Sequence, residues 1–314
     1  MELRHLRYFA AVADAGHMTR AAEQLGIQQP PLSQQIRALE QSLGVALFIR
    51  HPKGVTLTAA GTQFRAEARR ILDGVAAMEQ RMSRVARGLL GLLSVGFTSS
   101  AAAHAFTPRV LRACRREYPE IEIQISENNA AELTEAVALG RLHCAFLRVP
   151  VARPDGVSFE TLLSEPAVLA LPIDHPLCEA YGADAAVPWR RLQDQPLILV
   201  RRPGAPGLYG NLLGLLERRG VTVRVHAEVD RMMTNINLVA AGAGLSVVPA
   251  SMQGAHPHSV SYRRLPADGG LEAPITLAFR DDDDPGVKAT FLALARRSAA
   301  AERAQAGAGP EGAD

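Results

Sequence analysis

The chain has 314 residues, 47% of them hydrophobic, and a formal net charge of +2 at pH 7. This length allows two domains with separate cores, and the composition is typical of a soluble globular protein. No run of about 18 apolar residues occurs, and acidic residues interrupt the start of the chain, so we expect neither a membrane span nor a signal peptide. Three cysteines without paired spacing argue against structural zinc and favour a cytoplasmic location.

The charge is unevenly distributed. Residues 1–91 hold twelve Lys and Arg against seven Asp and Glu, a net charge of +5 that leaves −3 for the remainder. A basic N-terminal third predicts a polyanionic partner, although a solvated helix face can carry the same excess.

The N-terminal third begins with a helix-turn-helix pattern. Apolar residues at helical spacing predict three helices, which end at Gly16, Gly26 and Gly44. Two short helices joined through a glycine-containing turn are typical of this motif, whose second helix reads base edges in the major groove. The third helix of the chain has that position, with glutamines suited to adenine and an arginine suited to guanine. We therefore predict that these residues bind DNA: Gln28, Gln29, Pro30, Pro31, Ser33, Gln34 and Arg37.

A small hairpin follows the third helix. Residues 47–50 and 54–57 flank the turn His51-Pro52-Lys53, as two short strands would. Arg50 and Lys53 would then lie at the tip of a wing that touches phosphate or the minor groove. The pattern predicts a winged helix-turn-helix domain over 1–58, with a basic surface loop on a small helical domain as the alternative.

A long helix over 59–90, capped by Thr58, is the next predicted element. Phe64, Ile71, Met78 and Val85 recur every seven residues, and three further apolar residues follow the same repeat: Ala68, Val75 and Met82. A sustained heptad pattern indicates pairing with another helix, most simply that of a second copy. A homodimer would present two DNA-reading heads to a pseudo-palindromic site.

From Leu92 onward, short β-rich runs alternate with helical stretches, which predicts an α/β domain over 91–298. Ligands of such sheets bind beyond the carboxyl ends of the strands. Hydroxyl, amide and guanidinium donors suited to a small carboxylate follow the predicted strands: Ser99, Ser100, Asn128, Asn129, Arg148, Arg201 and Arg202, with the turn Pro203-Gly204. The serines have an alternative role as helix caps, and Arg201 and Arg202 have one as solvated loop charges. The Ala- and Gly-rich residues 299–314 are predicted to be a disordered tail.

An enzyme is not predicted. The sequence lacks a Gly-x-Ser-x-Gly elbow, a His-Glu-x-x-His motif and a phosphate-binding loop. The glycines of residues 241–244 precede a strand, unlike those of a dinucleotide-binding fingerprint. His256 and His258 form at most a weak metal pair in a surface loop. We therefore expect no catalytic residues, no metal and no cofactor.

Several motifs together resemble the LysR-type transcriptional regulators: Arg7-Tyr8-Phe9, Ala21-Ala22, Gln29 to Ser33, Ile36 to Glu40, Leu43-Gly44, Leu47-Phe48 and Leu57 to Gly61. The resemblance is dense over residues 1–62 and continues to about 298, and it is greatest to the regulators of aromatic and chloroaromatic degradation. It implies that Gln29, Pro30, Pro31, Ser33 and Lys53 approach DNA.

The chain departs from that family pattern at two positions. Gln34 stands where relatives often have Arg, and His17 replaces the usual Ser or Thr N-cap of the second helix.

The resemblance also implies an effector domain of two lobes, similar to periplasmic binding proteins, with lobes over 91–163 plus 266–298 and over 164–265. Ser99 and Ser100 would lie where relatives contact an inducer carboxylate, and Arg148 matches an Arg common in the aromatic-degradation branch. Homotetramers and RNA polymerase as a partner are further family expectations. We thus predict a promoter-binding regulator that responds to an aromatic or dicarboxylic acid. The alternative is a small-ligand binding or transport module whose N-terminal domain makes protein contacts.

Overall fold

A computed structural model of the chain describes residues 1–148, 154–182, 184–200, 207–282 and 285–307. The predicted effector residues Arg201, Arg202, Pro203 and Gly204 lie outside these ranges. The chain divides into two compact units, Met1–Arg84 and Val85–Asp314. Along the described ranges, none of the helices combines the length and the apolar character that crossing a lipid bilayer requires.

The first unit is a winged helix-turn-helix followed by a long helix. Its elements are α1 (Leu3–Ala15), α2 (Met18–Gln24), α3 (Gln29–Leu43), β1 (Phe48–His51), β2 (Gly54–Leu57) and α4 (Ala59–Ala86). His17 acts as the N-cap of α2, since its Nδ1 accepts a hydrogen bond from the Thr19 amide at 3.2 Å. Pro30 and Pro31 lie in the first turn of α3, where their missing N–H groups leave no helix bond unmade.

The three short helices and the hairpin share one apolar core. Leu32, Ile36 and Leu39 of α3 are buried in it, whereas Leu43 at the end of the helix is exposed. The ring of Phe9 lies 5.1 Å from that of Phe48 and 4.8 Å from that of Phe64 on α4. This aromatic cluster joins the first turns of α4 to the head.

Thr58 caps α4 as predicted, because its Oγ1 accepts a hydrogen bond from the Gly61 amide at 2.8 Å. A side chain at Gly61 would overlap the Leu47 carbonyl oxygen, so glycine allows α4 to start directly against the hairpin. Asp14 adds a polar attachment, with Oδ1 2.6 Å from Arg65 Nη2 and 2.8 Å from Arg69 Nη2.

The second unit is α/β. It contains, in chain order, β3 (Gly91–Phe97), α5 (Ser99–Ala102), α6 (Phe106–Glu117), β4 (Ile121–Glu127), α7 (Ala130–Ala138), β5 (Cys144–Leu147), β6 (Val157–Pro172), α8 (Pro176–Ala180), β7 (Pro196–Val200), α9 (Gly207–Arg218), β8 (Arg224–Val229), α10 (Met232–Ala240), β9 (Ser246–Pro249), β10 (Val260–Arg264), β11 (Glu272–Arg280) and α11 (Val287–Gly307).

The strand order of the main sheet is β10-β6-β11-β5-β3-β4, with β9 also paired to β6, while β7 and β8 form a separate parallel pair. Two large apolar clusters lie in this unit, one formed by residues 167–271 and the other by residues 93–163 with 275–299. They are the cores of two lobes. The first half of β6 belongs to one lobe and its second half to the other, so this strand joins them.

Strand β6 is continuous over Val157–Pro172, and β10 pairs with its second half. One feature differs from the sequence prediction. Helix α11 extends to Gly307, so the prediction of disorder is wrong for residues 299–307. Ala299 is buried, and the Arg303 guanidinium donates to the Leu162 carbonyl oxygen. These tertiary contacts stabilise a helical end whose composition alone predicted none.

Candidate functional site

The outward surface of α3 carries most of the predicted DNA-binding residues. The following side chains on α3 or its N-cap are exposed or half-exposed: Gln28, Gln29, Pro30, Pro31, Gln34 and Arg37. We call these residues the outward strip of α3. They are uncharged or basic, and none of them is acidic. Such a strip can offer amide and guanidinium groups to base edges.

Ser33 is placed differently from the prediction. Only 9% of its surface is exposed, and its Oγ accepts a hydrogen bond from Arg50 Nη1 at 3.2 Å. The residue therefore faces the wing rather than the outward strip, and it holds a wing arginine beside the start of α3.

The wing itself is basic and exposed at Arg50, His51 and Lys53. Its base is fixed to the end of α1, because the Val55 amide donates to the Gly16 carbonyl oxygen at 2.9 Å. Arg37 on α3 and Arg50 and Lys53 on the hairpin are exposed cationic side chains, which suit the backbone of a nucleic acid.

Sequence reasoning missed the role of Gln35. Its Oε1 lies 2.9 Å from His5 Nε2, and His5 Nδ1 accepts a hydrogen bond from the Glu2 amide, also at 2.9 Å. This chain of bonds ties α3 to the start of α1. No local sequence signal could have revealed it, since the partners are 30 residues apart.

The second unit contains a cavity of about 280 Å³ that brings together the predicted effector residues within the described ranges. It is lined by Thr98, Ser99, Ser100, Glu127, Asn128, Asn129, Ala130, Arg148, Val200, Gly207, Leu208, Tyr209, Gly210, Leu213, Asp230, Arg231, Met232, Pro249, Ala273 and Pro274. The volume is near the lower end of the range for small-molecule pockets, roughly 300 to 1,000 Å³.

Helix N-termini converge on this cavity. Among the described residues, α5, α7, α9 and α10 all begin at residues that line it. The first N–H groups of a helix have no partner within the helix, and the helix dipole adds partial positive charge there. Such helix ends can bind an anionic group, and the cavity lining also holds two carboxylates, Glu127 and Asp230, and two guanidiniums, Arg148 and Arg231.

The capping bonds of α5 test the alternative role of the serines as helix caps. Thr98 caps α5, since its Oγ1 accepts from the Ala101 amide at 3.3 Å. Ser99 is half-buried and Ser100 is buried, and both line the cavity. Helix capping is therefore the role of Thr98 and not of the two serines.

Asn129 caps α7 through a 3.0 Å hydrogen bond that its Oδ1 accepts from the Glu132 amide. Asn128 Oδ1 accepts from the Asn129 amide at 3.1 Å. The two asparagines thus organise the N-terminus of α7 and also line the cavity.

Arg148 is buried in the cavity wall, with its guanidinium already engaged by the protein. Nε and Nη2 donate to the Ser100 carbonyl oxygen at 3.2 and 2.6 Å, and Nη1 donates to that of Ala273 at 3.1 Å. Nη2 also lies 2.5 Å from Glu165 Oε1. Burial lowers the pKa of Arg148, and the Glu165 carboxylate opposes that shift. The sequence predicted a guanidinium available to the ligand, whereas the structure pairs it with a carboxylate.

Glu165 and Ser251 complete this network, and sequence reasoning missed both. The Ser251 amide donates to Glu165 Oε2 at 2.6 Å, and its hydroxyl donates to Oε1 at 2.8 Å. Arg148 Nη2 donates to Ser251 Oγ at 2.9 Å. These residues come from three separate parts of the chain, so only the tertiary fold assembles them.

The opposite wall, from the lobe of residues 167–271, carries Asp230 and Arg231 and is otherwise mostly apolar: Val200, Leu208, Tyr209, Leu213, Met232 and Pro249. Leu208 and Pro249 belong to this wall. The Tyr209 hydroxyl lies 3.2 Å from Asn235 Nδ2 and 3.4 Å from Ser246 Oγ. Burial raises the pKa of Tyr209, so the phenol stays protonated at neutral pH.

Similarity to known proteins covers both units. Residues 3–62 match the bacterial regulatory helix-turn-helix proteins of the lysR family, and residues 86–300 match the LysR substrate binding domain. The uncharacterized HTH-type transcriptional regulator YnfL of Escherichia coli (strain K12) is 41% identical over 253 residues, which cover 81% of this chain and 84% of that protein. The HTH-type transcriptional regulator BudR of Raoultella terrigena is 37% identical over 280 residues, which cover 89% of this chain and 95% of that protein.

Solved structures agree. The crystal structure of CbnR, a LysR family transcriptional regulator, matches with a TM-score of 0.79 at 31% identity and covers 94% of this chain and 100% of CbnR. Full-length CbnR complexed with its target DNA matches with a TM-score of 0.77 at 31% identity, over 95% of this chain and 100% of that one. The winged head, the two-lobed α/β unit and these similarities establish that the chain belongs to the LysR family of bacterial helix-turn-helix transcriptional regulators.

Proposed function

We propose that this regulator binds promoter DNA as a homodimer or homotetramer and responds to a small carboxylic acid, aromatic or dicarboxylic, bound in the cavity of its second unit. The main support for a carboxylic acid as the inducer is that four helices begin at residues lining a small, largely apolar cavity. The helix ends and the hydroxyls of Ser99 and Ser100 would bind the carboxylate. The apolar wall with Leu208 and Met232 would bind the rest of the molecule.

The DNA-binding residues are proposed from their exposure and chemistry. Gln29 and Gln34 would read bases from α3, while Arg37, Arg50 and Lys53 would contact bases or phosphates. Full-length CbnR, which is 31% identical to this chain, has been solved in complex with its target DNA, and this supports a DNA-binding role for a similar chain. RNA polymerase is a further proposed partner.

Signalling requires that the acid prefer one arrangement of the lobes. A ligand shifts a conformational equilibrium only by its difference in affinity for the two states. DNA binding and inducer binding are then coupled, and each changes the affinity of the other by the same factor.

Calorimetric titration of the full chain with aromatic and dicarboxylic acids tests the inducer class. We expect Ser99→Ala to weaken binding of the best acid, because the variant removes one hydroxyl donor from the cavity. An unchanged affinity would remove Ser99 from the site, and a wild-type chain that binds none of the acids would refute the class.

Footprinting on the DNA upstream of the gene, at several salt concentrations, tests the DNA-binding role. Gln29→Ala should weaken specific binding by about 1 to 3 kcal/mol while leaving non-specific binding unchanged. A wild-type chain that binds a ligand but no DNA would favour a ligand-carrying module instead.

A further inference from the structure

Arg148, one of the charged residues that line the effector cavity with Glu127, Asp230 and Arg231, is paired with a residue that does not line it. Arg148 is 9% exposed and faces the cavity, whereas Glu165, also 9% exposed, lies behind it. Nη2 of the arginine and Oε1 of the glutamate are 2.5 Å apart, so the two charges cancel within one buried pair. A ligand in the cavity therefore meets an arginine whose positive charge is already compensated.

We propose that Glu165 is a specificity-determining residue that sets the charge preference of this cavity by neutralising Arg148. This assignment rests on the proposed effector function. It adds that Glu165 limits how strongly the cavity prefers acids over their neutral analogues. An acidic ligand gains from the helix N-termini and from neutral hydroxyls, but it does not gain the full attraction of a buried cation.

Hydrogen bonds from Ser251 fix the position of the Glu165 carboxylate. Both of its carboxylate oxygens accept hydrogen bonds from Ser251, at 2.6 Å from the amide and 2.8 Å from the hydroxyl. A buried carboxylate that accepts these two hydrogen bonds and pairs with a guanidinium is held in one orientation. Ser251 thus positions the carboxylate, and the carboxylate sets the charge seen through Arg148.

The physical basis is the weak screening of buried charges. Charge interactions inside a protein fall off slowly compared with those in water, so removing one member of a buried pair exposes the other charge to a nearby ligand. Removing Glu165 should favour acids over their neutral analogues, and removing Arg148 should do the opposite. Replacing a residue with a merely structural role would change the affinity for acids and the affinity for their neutral analogues by the same factor.

The experiment compares each acid with its primary amide on the full chain, with benzoate against benzamide and adipate against adipamide as probes. The quantity measured is the ratio of the Kd of the acid to the Kd of the amide. In Glu165→Gln we expect this ratio to fall by at least about tenfold relative to the wild-type chain, and in Arg148→Gln we expect it to rise by a similar factor.

Matched variants separate charge from packing. Glu160→Gln makes the same chemical change on the same strand, at a half-exposed glutamate paired with Arg296 on the surface, and should leave the ratio unchanged. Ser251→Ala removes two hydrogen bonds of the network without changing its charge, and should also leave the ratio close to that of the wild-type chain.

Glu165→Gln leaves a buried cation unpaired, which destabilises a protein. If that variant does not fold, Arg148→Gln and the double variant Arg148→Gln/Glu165→Gln carry the test, because the double variant is again neutral. The increase in the ratio seen in Arg148→Gln should then disappear in the double variant.

Two negative outcomes are distinguishable. Binding by the wild-type chain with an unchanged ratio in the single variants would overturn the assignment of Glu165 alone. A wild-type chain that binds none of the acids or amides would overturn the proposed effector class and this assignment together.

Discussion

At the residue scale, the bond from Arg50 to Ser33 gives a buried side chain an indirect part in the proposed DNA binding. Ser33 is buried and its hydroxyl accepts from the guanidinium at 3.2 Å. The bond restricts a flexible arginine that would otherwise lose rotamer entropy on binding a phosphate. Preorganisation of this kind raises affinity without a direct contact.

We expect Arg50→Ala to weaken binding to every DNA sequence and to lower the slope of log K against log salt concentration by about one, because one phosphate contact is lost. Ser33→Ala should weaken binding less and keep the slope, since the charge remains. Fluorescence anisotropy over a salt series measures both. An unchanged slope in Arg50→Ala would show that the arginine does not touch phosphate.

The second prediction at this scale concerns the reactivity of the three cysteines. Burial, with the nearby Glu117 carboxylate, raises the pKa of the Cys114 thiol to about 11, and burial also raises the pKa of Cys144. Cys178 is only partly buried, and its thiol donates to the Pro172 carbonyl oxygen.

Because the thiolate is the reactive form, a raised pKa keeps Cys114 and Cys144 protonated at pH 8. We expect iodoacetamide to label Cys178 in the native chain and all three cysteines in denaturant. Mass spectrometry of the labelled peptides measures this. Rapid native labelling of Cys144 would contradict the burial of that strand.

At the scale of elements, the start of α4 depends on one glycine. Gly61 lies against the Leu47 carbonyl oxygen, and a Cβ there would overlap it. Gly74 lies on the same helix with nothing within 4 Å of the place where a Cβ would be. The two positions therefore form a matched pair.

We expect Gly61→Ala to lower the free energy of unfolding of the first unit by about 1 to 3 kcal/mol, through displacement of α4 from the hairpin. Gly74→Ala should raise it by roughly 0.5 to 1 kcal/mol, because alanine favours a helix interior. Urea unfolding followed by circular dichroism measures both. Equal effects of the two substitutions would contradict the close packing at Gly61.

At the scale of the whole molecule, α4 leaves an apolar surface uncovered within the single chain. Ile71, Met78, Met82 and Val85 are between 37% and 56% exposed, although all belong to the heptad series. Exposed apolar side chains in such a row are typical of a helix that pairs with another.

We expect Met78→Glu to raise the dissociation constant of the homodimer by at least about tenfold, because two carboxylates would be buried against apolar side chains. Gln80→Glu adds the same charge on the same helix outside the heptad positions, and should have little effect. Sedimentation velocity over a concentration series measures both. Dimers of unchanged stability in Met78→Glu would place the interface elsewhere.

The sequence by itself determined the local elements of this protein. Helical spacing and glycine caps predicted α1 to α3, and the heptad repeat together with Thr58 predicted the start and course of α4. These features are local because a helix closes its hydrogen bonds within a few residues and a strand shows its exposure by alternation. The polar strip of α3 and the serines, asparagines and arginine around the cavity were predicted for the same reason.

Only the tertiary structure decided how distant residues meet. Arg148 follows β5 and Glu165 lies on β6, with β11 between these two strands, so no spacing along the chain encodes their pairing. Burial of Ala299 and the hydrogen bond from Arg303 to Leu162 likewise stabilise a helix where the sequence predicted a disordered tail. Burial and charge compensation depend on which side chains surround a group in space. In this cavity the surrounding side chains pair Arg148 with Glu165, which the sequence pattern could not reveal.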